Sequence, residues 1–251
     1  MIVILTAISI IAVLGCNDFV NNVESPNNDL ADEELKSSSD LQLLINGTKS
    51  LFSRTYAQLS AYSSGLGDEL EFTRDIRMAT YVVFESIDGA KVSGNLALLP
   101  NNNAISGSSM LIGRCRLLAD TLIERIENRI NFDTSQADQA LKKDGYFTGY
   151  FYGAMARYFL GSYFSLEPND GGGGTINLSS YIPAEELYEQ AIELLNKAEE
   201  YADPYQKKLI NTFKARIYLI TGNYPEAANA LNGALTNGDE PYTTLYNVEK
   251  Y

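Results

Sequence analysis

The stretch from Thr134 to Phe164 constrains this chain more than any other. It carries glycines at 145, 149 and 153 and nine aromatic side chains, Tyr146, Phe147, Tyr150, Phe151, Tyr152, Tyr158, Phe159, Tyr163 and Phe164. Its pattern predicts a helix that starts near Thr134 or Ser135, with Asp138 placed like the acid of a capping box, and ends near Phe164. Glycines four residues apart share a helix face. Each costs such a helix about 1 kcal/mol relative to alanine, so a close backbone approach by a neighbouring element is the expected compensation. The rings occupy more than one face, so some are expected to point outward. Two readings follow: a helix buried between layers, or a stacking platform for a sugar ring or another apolar ligand face.

Helical periodicity recurs on both sides. Asp40 is placed to cap a helix running to about Tyr62, with Leu41, Leu44, Ile45, Leu51, Phe52, Tyr56 and Leu59 at three-to-four spacing. Between Gly65 and about Ser109 the pattern breaks at glycines, Pro100 and the run Asn101-Asn102-Asn103, with a short extended piece at Tyr81–Phe84. A second helix is expected over about 110–130. Leu111, Cys115, Leu118, Ala119, Leu122, Ile126 and Ile130 form its apolar face, which makes Cys115 a small buried hydrophobe. Gly171-Gly172-Gly173-Gly174 reads as a flexible loop, because Thr175-Ile176-Asn177 lacks the Lys and hydroxyl of a phosphate cradle. Helices are expected again from Pro183 to Tyr201, Tyr205 to Thr221 and Tyr224 to Leu235. The expected class is all-α with long irregular loops.

Composition removes several functions. The net charge of −13 opposes a phosphate backbone, so no nucleic-acid partner is expected. The chain has no His, which excludes Ser-His-Asp and Cys-His nucleophilic chemistry. Cys16 and Cys115 make neither a zinc pattern nor a disulfide framework. No carboxylate pair stands out for glycoside hydrolysis. The chain is therefore expected not to be an enzyme and to need no metal or cofactor.

Residues 2–14 form an apolar run too short to span a membrane and suited to a signal-peptide core, although no Lys or Arg precedes it. Val13-Leu14-Gly15-Cys16 resembles a lipobox, in which the cysteine is acylated and becomes the first residue. Asn, Asp, Glu and Ser dominate the residues that follow, a composition that cannot repay chain entropy. The expected organisation is a lipoprotein signal peptide over 1–15, an acidic flexible tether over 16–39 and a helical domain over 40–251. A buried amino-terminal helix with an incidental cysteine is the plainer alternative.

The segment Ala215-Arg-Ile-Tyr218-Leu-Ile-Thr-Gly222-Asn-Tyr224-Pro-Glu-Ala227-Ala-Asn-Ala-Leu231-Asn-Gly-Ala234 resembles a tetratricopeptide repeat. Ala215, Tyr218, Gly222, Tyr224, Ala227, Leu231 and Ala234 carry the match. Gly222 would permit the turn, the alanines would let helices touch, and Tyr218 and Tyr224 would fill the gaps. Asn211 and Lys214 depart from the Trp and Leu the motif prefers. Tyr188, Ala191, Leu195 and Ala198 echo the second helix of an earlier unit, whose first helix would be the aromatic one.

Taken in order, these features resemble the SusD/RagB family of nutrient-binding outer-membrane lipoproteins. The lipobox and tether, Leu43-Leu44-Ile45-Asn46-Gly47, the stretch Ala154–Phe164 and the stretch Pro183–Ala198 followed by the repeat carry the resemblance. It implies a tetratricopeptide-like scaffold, a SusC-like TonB-dependent transporter as partner, a glycan or peptide as ligand, and a lipid anchor in the outer membrane with the domain at the cell surface. Family members are usually much longer, so the domain is expected to be incomplete relative to them, and no ligand residue is carried over. A lipid-anchored tetratricopeptide scaffold that binds a protein partner is the alternative.

Overall fold

A computed structural model describes residues 35–67, 69, 103–164 and 182–244. The chain separates into two units, Met1–Leu35 and Lys36–Tyr251, and every described helix belongs to the second. Among the described residues the architecture is all-α: α1 (Ser38–Leu66), α2 (Asn103–Asn128), α3 (Gln136–Tyr163), α4 (Ala184–Tyr201), α5 (Pro204–Ile220) and α6 (Tyr224–Leu231). The expected signal peptide, Cys16, the extended piece at Tyr81–Phe84 and the Gly171–Gly174 loop lie outside the described residues.

Local chemistry sets where the helices begin. Ser37, not Asp40, caps α1. The Asp40 N–H donates to Ser37 Oγ at 3.3 Å, and the Asp40 carboxylate accepts the Ser37 N–H at 2.8 Å, which is a capping box. The expected boundary at Asp40 thus falls inside the helix. In α3 the Ser135 hydroxyl accepts from the Asp138 N–H, while the Asp138 carboxylate reaches past Ser135 to the Asp133 N–H at 2.9 Å. Asp203 and Gln206 close a complete capping box on α5, with Pro204 in its first turn. Helix α2 starts at Asn103, seven residues before the expected Met110. Its first residues, Asn103 to Ser109, are mostly polar or glycine, a composition whose propensity does not announce a helix, and Ser108 among them is buried.

Helix α3 is the centre. It packs most extensively on α4 and α2, and α1 lies against both α2 and α3. Contacts that advance along α3 retreat along α2 and α4, so α3 runs antiparallel to both. The glycine row explains this placement. A Cβ on Gly145 would lie 2.7 Å from Ile126 of α2, and one on Gly149 would lie 2.6 Å from Ile123 and 3.1 Å from the Ala119 carbonyl. One on Gly153 would rest at 3.5 Å from both Ala119 of α2 and Leu194 of α4, and one on Gly161 would meet the Tyr188 ring of α4 at 3.0 Å. Four residues advance a helix by one turn plus about 40°, so the row winds from α2 toward α4 as it climbs. Arg157 holds the remaining place in the row. Its guanidinium binds Asp120 of α2 with two bonds of 3.0 Å and donates to Gln190 of α4 at 3.0 Å. One partly buried cation therefore ties three helices together.

The expected apolar faces are largely buried. Leu41, Ile45, Phe52 and Leu59 of α1 and Leu111, Cys115, Ala119, Leu122 and Ile126 of α2 are in the core, as is Ile130 beyond the end of α2. Leu118 is a correction: it is exposed, and Ile112 takes a core place instead. The aromatic helix is also less outward-facing than expected. Phe147, Phe151, Tyr158 and Phe159 are buried, and the other five rings are half-buried. Neighbours on several sides leave none of these nine rings fully exposed.

Helix α6 ends at Leu231, four residues short of the expected Leu235. There Gly233 lies so near Asn211 that a Cβ would sit 2.6 Å from its amide nitrogen, and that amide donates to the Gly233 carbonyl. The chain then doubles back as a strap. Leu235 N–H donates to Thr212 Oγ1, Asp239 pairs with Lys208, Tyr205 hydroxyl donates to the Glu240 carbonyl, and Tyr242 hydroxyl donates to Tyr152 hydroxyl at 3.3 Å. Tyr242 also sets its ring edge-on to Phe151 of α3. The strap ties the α5–α6 hairpin to the central helix.

Candidate functional site

Tyr146 and Tyr150 lie one turn apart on α3, and antiparallel packing brings the last residue of α4, Tyr201, beside them. The Tyr146 and Tyr201 ring centroids are 4.6 Å apart with planes 25° from parallel. Tyr146–Tyr150 and Tyr150–Tyr201 are 5.9 Å and 6.0 Å apart at 7° and 23°. All three rings are half-buried. The Lys142 ammonium extends the row, 4.9 Å from the Phe132 ring centroid and 6.0 Å from that of Tyr146.

The electrostatics of this face are those of neutral phenols beside carboxylates. Partial burial raises the pKa of Tyr146 and Tyr150, and the negative charge of Glu127 adds to the effect on both. Glu200 contributes at Tyr150. At neutral pH the Tyr146 and Tyr150 hydroxyls stay protonated and can donate hydrogen bonds, the carboxylates can accept them, and the rings offer apolar surface. That set of groups suits binding by stacking and hydrogen bonding.

The repeat residues occupy mixed environments. Ala215 of α5, Ala227 of α6 and Ala234 are buried, and Tyr218 is half-buried. Gly222 has φ +74°, the left-handed conformation that ends α5 and starts the turn into α6. Tyr224 and Leu231 are exposed, so Tyr224 does not fill a gap between helices as expected. The physical reason is position: no described helix follows α6 to cover that side. Both departures from the motif do structural work of a polar kind. Lys214, nearly buried, reaches Glu199 of α4 at 2.7 Å, and Asn211 binds the Gly233 carbonyl.

No protein-family model, no curated protein and no solved structure matches this chain.

Two further observations bear on chemistry. Among the described residues no group of three or more His, Cys, Asp or Glu is arranged to hold a metal ion, and no helix is long and apolar enough to cross a membrane. Cys115 sits in the core beside Thr55, its sulfur 3.1 Å from the hydroxyl oxygen, and burial pushes its thiol up to about 11. It is a thiol and not a thiolate near neutral pH, so it is a poor nucleophile. Sequence reasoning did not single out Tyr201, although it lies three residues beyond Ala198 of the buried α4 stripe. Nothing in the sequence alone could pair it with Tyr146.

Proposed function

We propose that this chain is the binding component of an outer-membrane nutrient-uptake system of the SusD/RagB type, lipid-anchored through Cys16 beside a SusC-like TonB-dependent transporter. The observation that carries this reading is the recurrence of one stripe on two helices. Tyr188, Ala191, Leu195 and Ala198 on α4 have the spacing of Tyr224, Ala227, Leu231 and Ala234 on and just after α6. Each stripe belongs to the second helix of a pair, α3–α4 and α5–α6, and α5 also packs on α4. Stacked helix pairs with a shared stripe are the organisation of a tetratricopeptide-like scaffold, a binding architecture rather than a catalytic one. The apolar leader, the lipobox at Cys16 and the polar stretch behind it supply the anchor in this reading.

The tyrosine face of Tyr146, Tyr150 and Tyr201 is the surface assigned to ligand, and a glycan suits it better than a peptide. Flat apolar rings beside hydroxyl donors and carboxylate acceptors match a sugar, which offers an apolar ring face and a rim of hydroxyls. The test has two arms. Solubilised outer membrane should yield the chain together with a TonB-dependent transporter, and a Cys16→Ser variant should leave the membrane fraction. Titration of neutral oligosaccharides should give saturable binding that Tyr201→Ala weakens by about tenfold, the loss of one stacking contact of ~1–1.5 kcal/mol. Isolation without any transporter would reject the uptake role, and undiminished binding by Tyr201→Ala would reject the assigned face.

A further inference from the structure

The strap is an extended segment bound between helices. Helices α3 and α5, the first members of the two pairs, each pack on α4 and hardly on each other. Phe151 and Phe213 meet edge-on across the interval, with centroids 5.7 Å apart, and Tyr242 of the strap sets its ring edge-on to Phe151. The strap's contacts run down one stripe of α5. The Leu235 N–H meets Thr212, the Asp239 carboxylate meets Lys208 and the Glu240 carbonyl meets Tyr205, while Tyr242 reaches Tyr152 of α3. No residue from Leu235 to Thr244 is buried. A segment held by partly exposed ion pairs and single hydrogen bonds opens well before the whole fold does. The charge of α5 is also opposite to that of the chain. All four of its charged residues are basic, Lys207, Lys208, Lys214 and Arg216, on a chain of net charge −13. Lys208 binds the strap and Lys214 binds Glu199. Arg216 lies about two turns beyond Lys208 on the same stripe, exposed and without a carboxylate partner among the described residues.

We propose that the interval between α3 and α5 is a binding site for an extended acidic segment of a protein partner, and that the strap is its intramolecular stand-in, displaced when the partner binds. Stacked helix pairs offer extended partners such a path. The strap defines the recognition chemistry: a carboxylate for Lys208 and, three positions later, a tyrosine whose hydroxyl meets Tyr152 and whose ring meets Phe151. Arg216 calls for a second carboxylate that the strap does not supply. The helix rises about 12 Å from Lys208 to Arg216, which an extended chain spans in about four residues, so this acid precedes the aspartate by roughly four positions. Phe151 and Tyr152 stand about 100° and 200° around α3 from Tyr150, so the site is separate from the tyrosine face assigned to the glycan.

A fluorescent Gly/Ser peptide carrying Glu, Asp and Tyr at those spacings tests the site on the full chain in detergent. The expected result is saturable binding, read by fluorescence anisotropy. Binding should speed hydrogen exchange of the strap, residues 235–242, by at least about tenfold while the helices keep their protection. Arg216→Gln removes no bond to the strap, so it should weaken peptide binding by about fivefold and leave strap exchange in the free protein unchanged. Tyr242→Ala loosens the strap and should tighten binding by about fivefold. Replacing the peptide's tyrosine by alanine should weaken binding by about tenfold. Absence of saturable binding to both the parent and Tyr242→Ala would overturn the proposal, as would equal binding of the tyrosine and alanine peptides. Binding that leaves strap exchange unaltered would put the peptide elsewhere and overturn it too.

Discussion

At the scale of single residues, the glycines of α3 are not equivalent, although they look so in sequence. A Cβ on Gly149 would lie 2.6 Å from Ile123, closer than packing tolerates, and 3.1 Å from the Ala119 carbonyl, a tight contact in which the carbonyl cannot step aside as a side-chain tip can. Gly153, one turn on, faces only ordinary van der Waals contacts. Alanine is therefore expected to act in opposite directions at the two sites. Gly149→Ala should destabilise the fold by ~1–3 kcal/mol through overpacking between α2 and α3. Gly153→Ala should be neutral or stabilising by up to about 1 kcal/mol through helix propensity. Urea unfolding followed by far-UV circular dichroism separates the two, and a loss of similar size at both positions would contradict the reading. Spacing placed these glycines on one face. It did not tell which of them touches a neighbour, because that depends on how the row winds around α3 relative to α2 and α4.

At the scale of helices, periodicity located most elements, and cap chemistry corrected their ends. The stripe Tyr188, Ala191, Leu195 and Ala198 is buried as its spacing predicts. Helix α1 was legible from Leu41 to Leu59, yet its start belongs to the Ser37–Asp40 pair. Helix α5 also begins at a complete capping box. Asp203 accepts the Gln206 N–H at 2.7 Å, and the Gln206 side chain accepts the Asp203 N–H at 2.8 Å. Asp203→Ala removes one partner of this box and should cost about 1 kcal/mol. Asp203→Ser should recover most of it, since a hydroxyl can accept the same bond. A thermal shift for Asp203→Ala no larger than that of a neighbouring surface substitution, such as Lys207→Ala, would show that the box does not hold the hairpin.

At the scale of the whole molecule, long-range polar contacts set how the helices assemble. Lys49 binds Asp144 across α1 and α3, Arg157 spans α2, α3 and α4, Lys214 joins α5 to α4, and Lys208 joins α5 to the strap at Asp239. The last of these has a pH signature. The hydrogen bond from Lys208, with further bonds from the Thr236 N–H and hydroxyl, lowers the pKa of Asp239 to about 2. An aspartate in the unfolded chain titrates near ~3.9, so the folded state is favoured while the carboxylate is ionised. That contribution is complete above the unfolded value and disappears as pH falls through about 4 to about 2. The stability gap between the parent protein and Asp239→Asn should accordingly be constant above about pH 5 and narrow toward zero near pH 2, as read from unfolding midpoints across that range. A gap independent of pH would show that the charge of Asp239 does not anchor the strap.

The amino-acid sequence by itself determined the helical class, the run of amphipathic faces, the turn at Gly222 and the need for a close neighbour along the α3 glycines. These are local properties: periodicity, propensity and the allowed backbone angles act within a few residues. The tertiary structure alone decided which glycines touch and that Arg157 ties three helices together. It also decided that Tyr201 joins Tyr146 and Tyr150 in one face, and that Tyr224 and Leu231 stay open while their counterparts on α4 are buried. Each of these depends on residues far apart in the chain being brought within a few ångströms. Spacing can say that a side chain shares a helix face, but only packing decides what, if anything, that face meets.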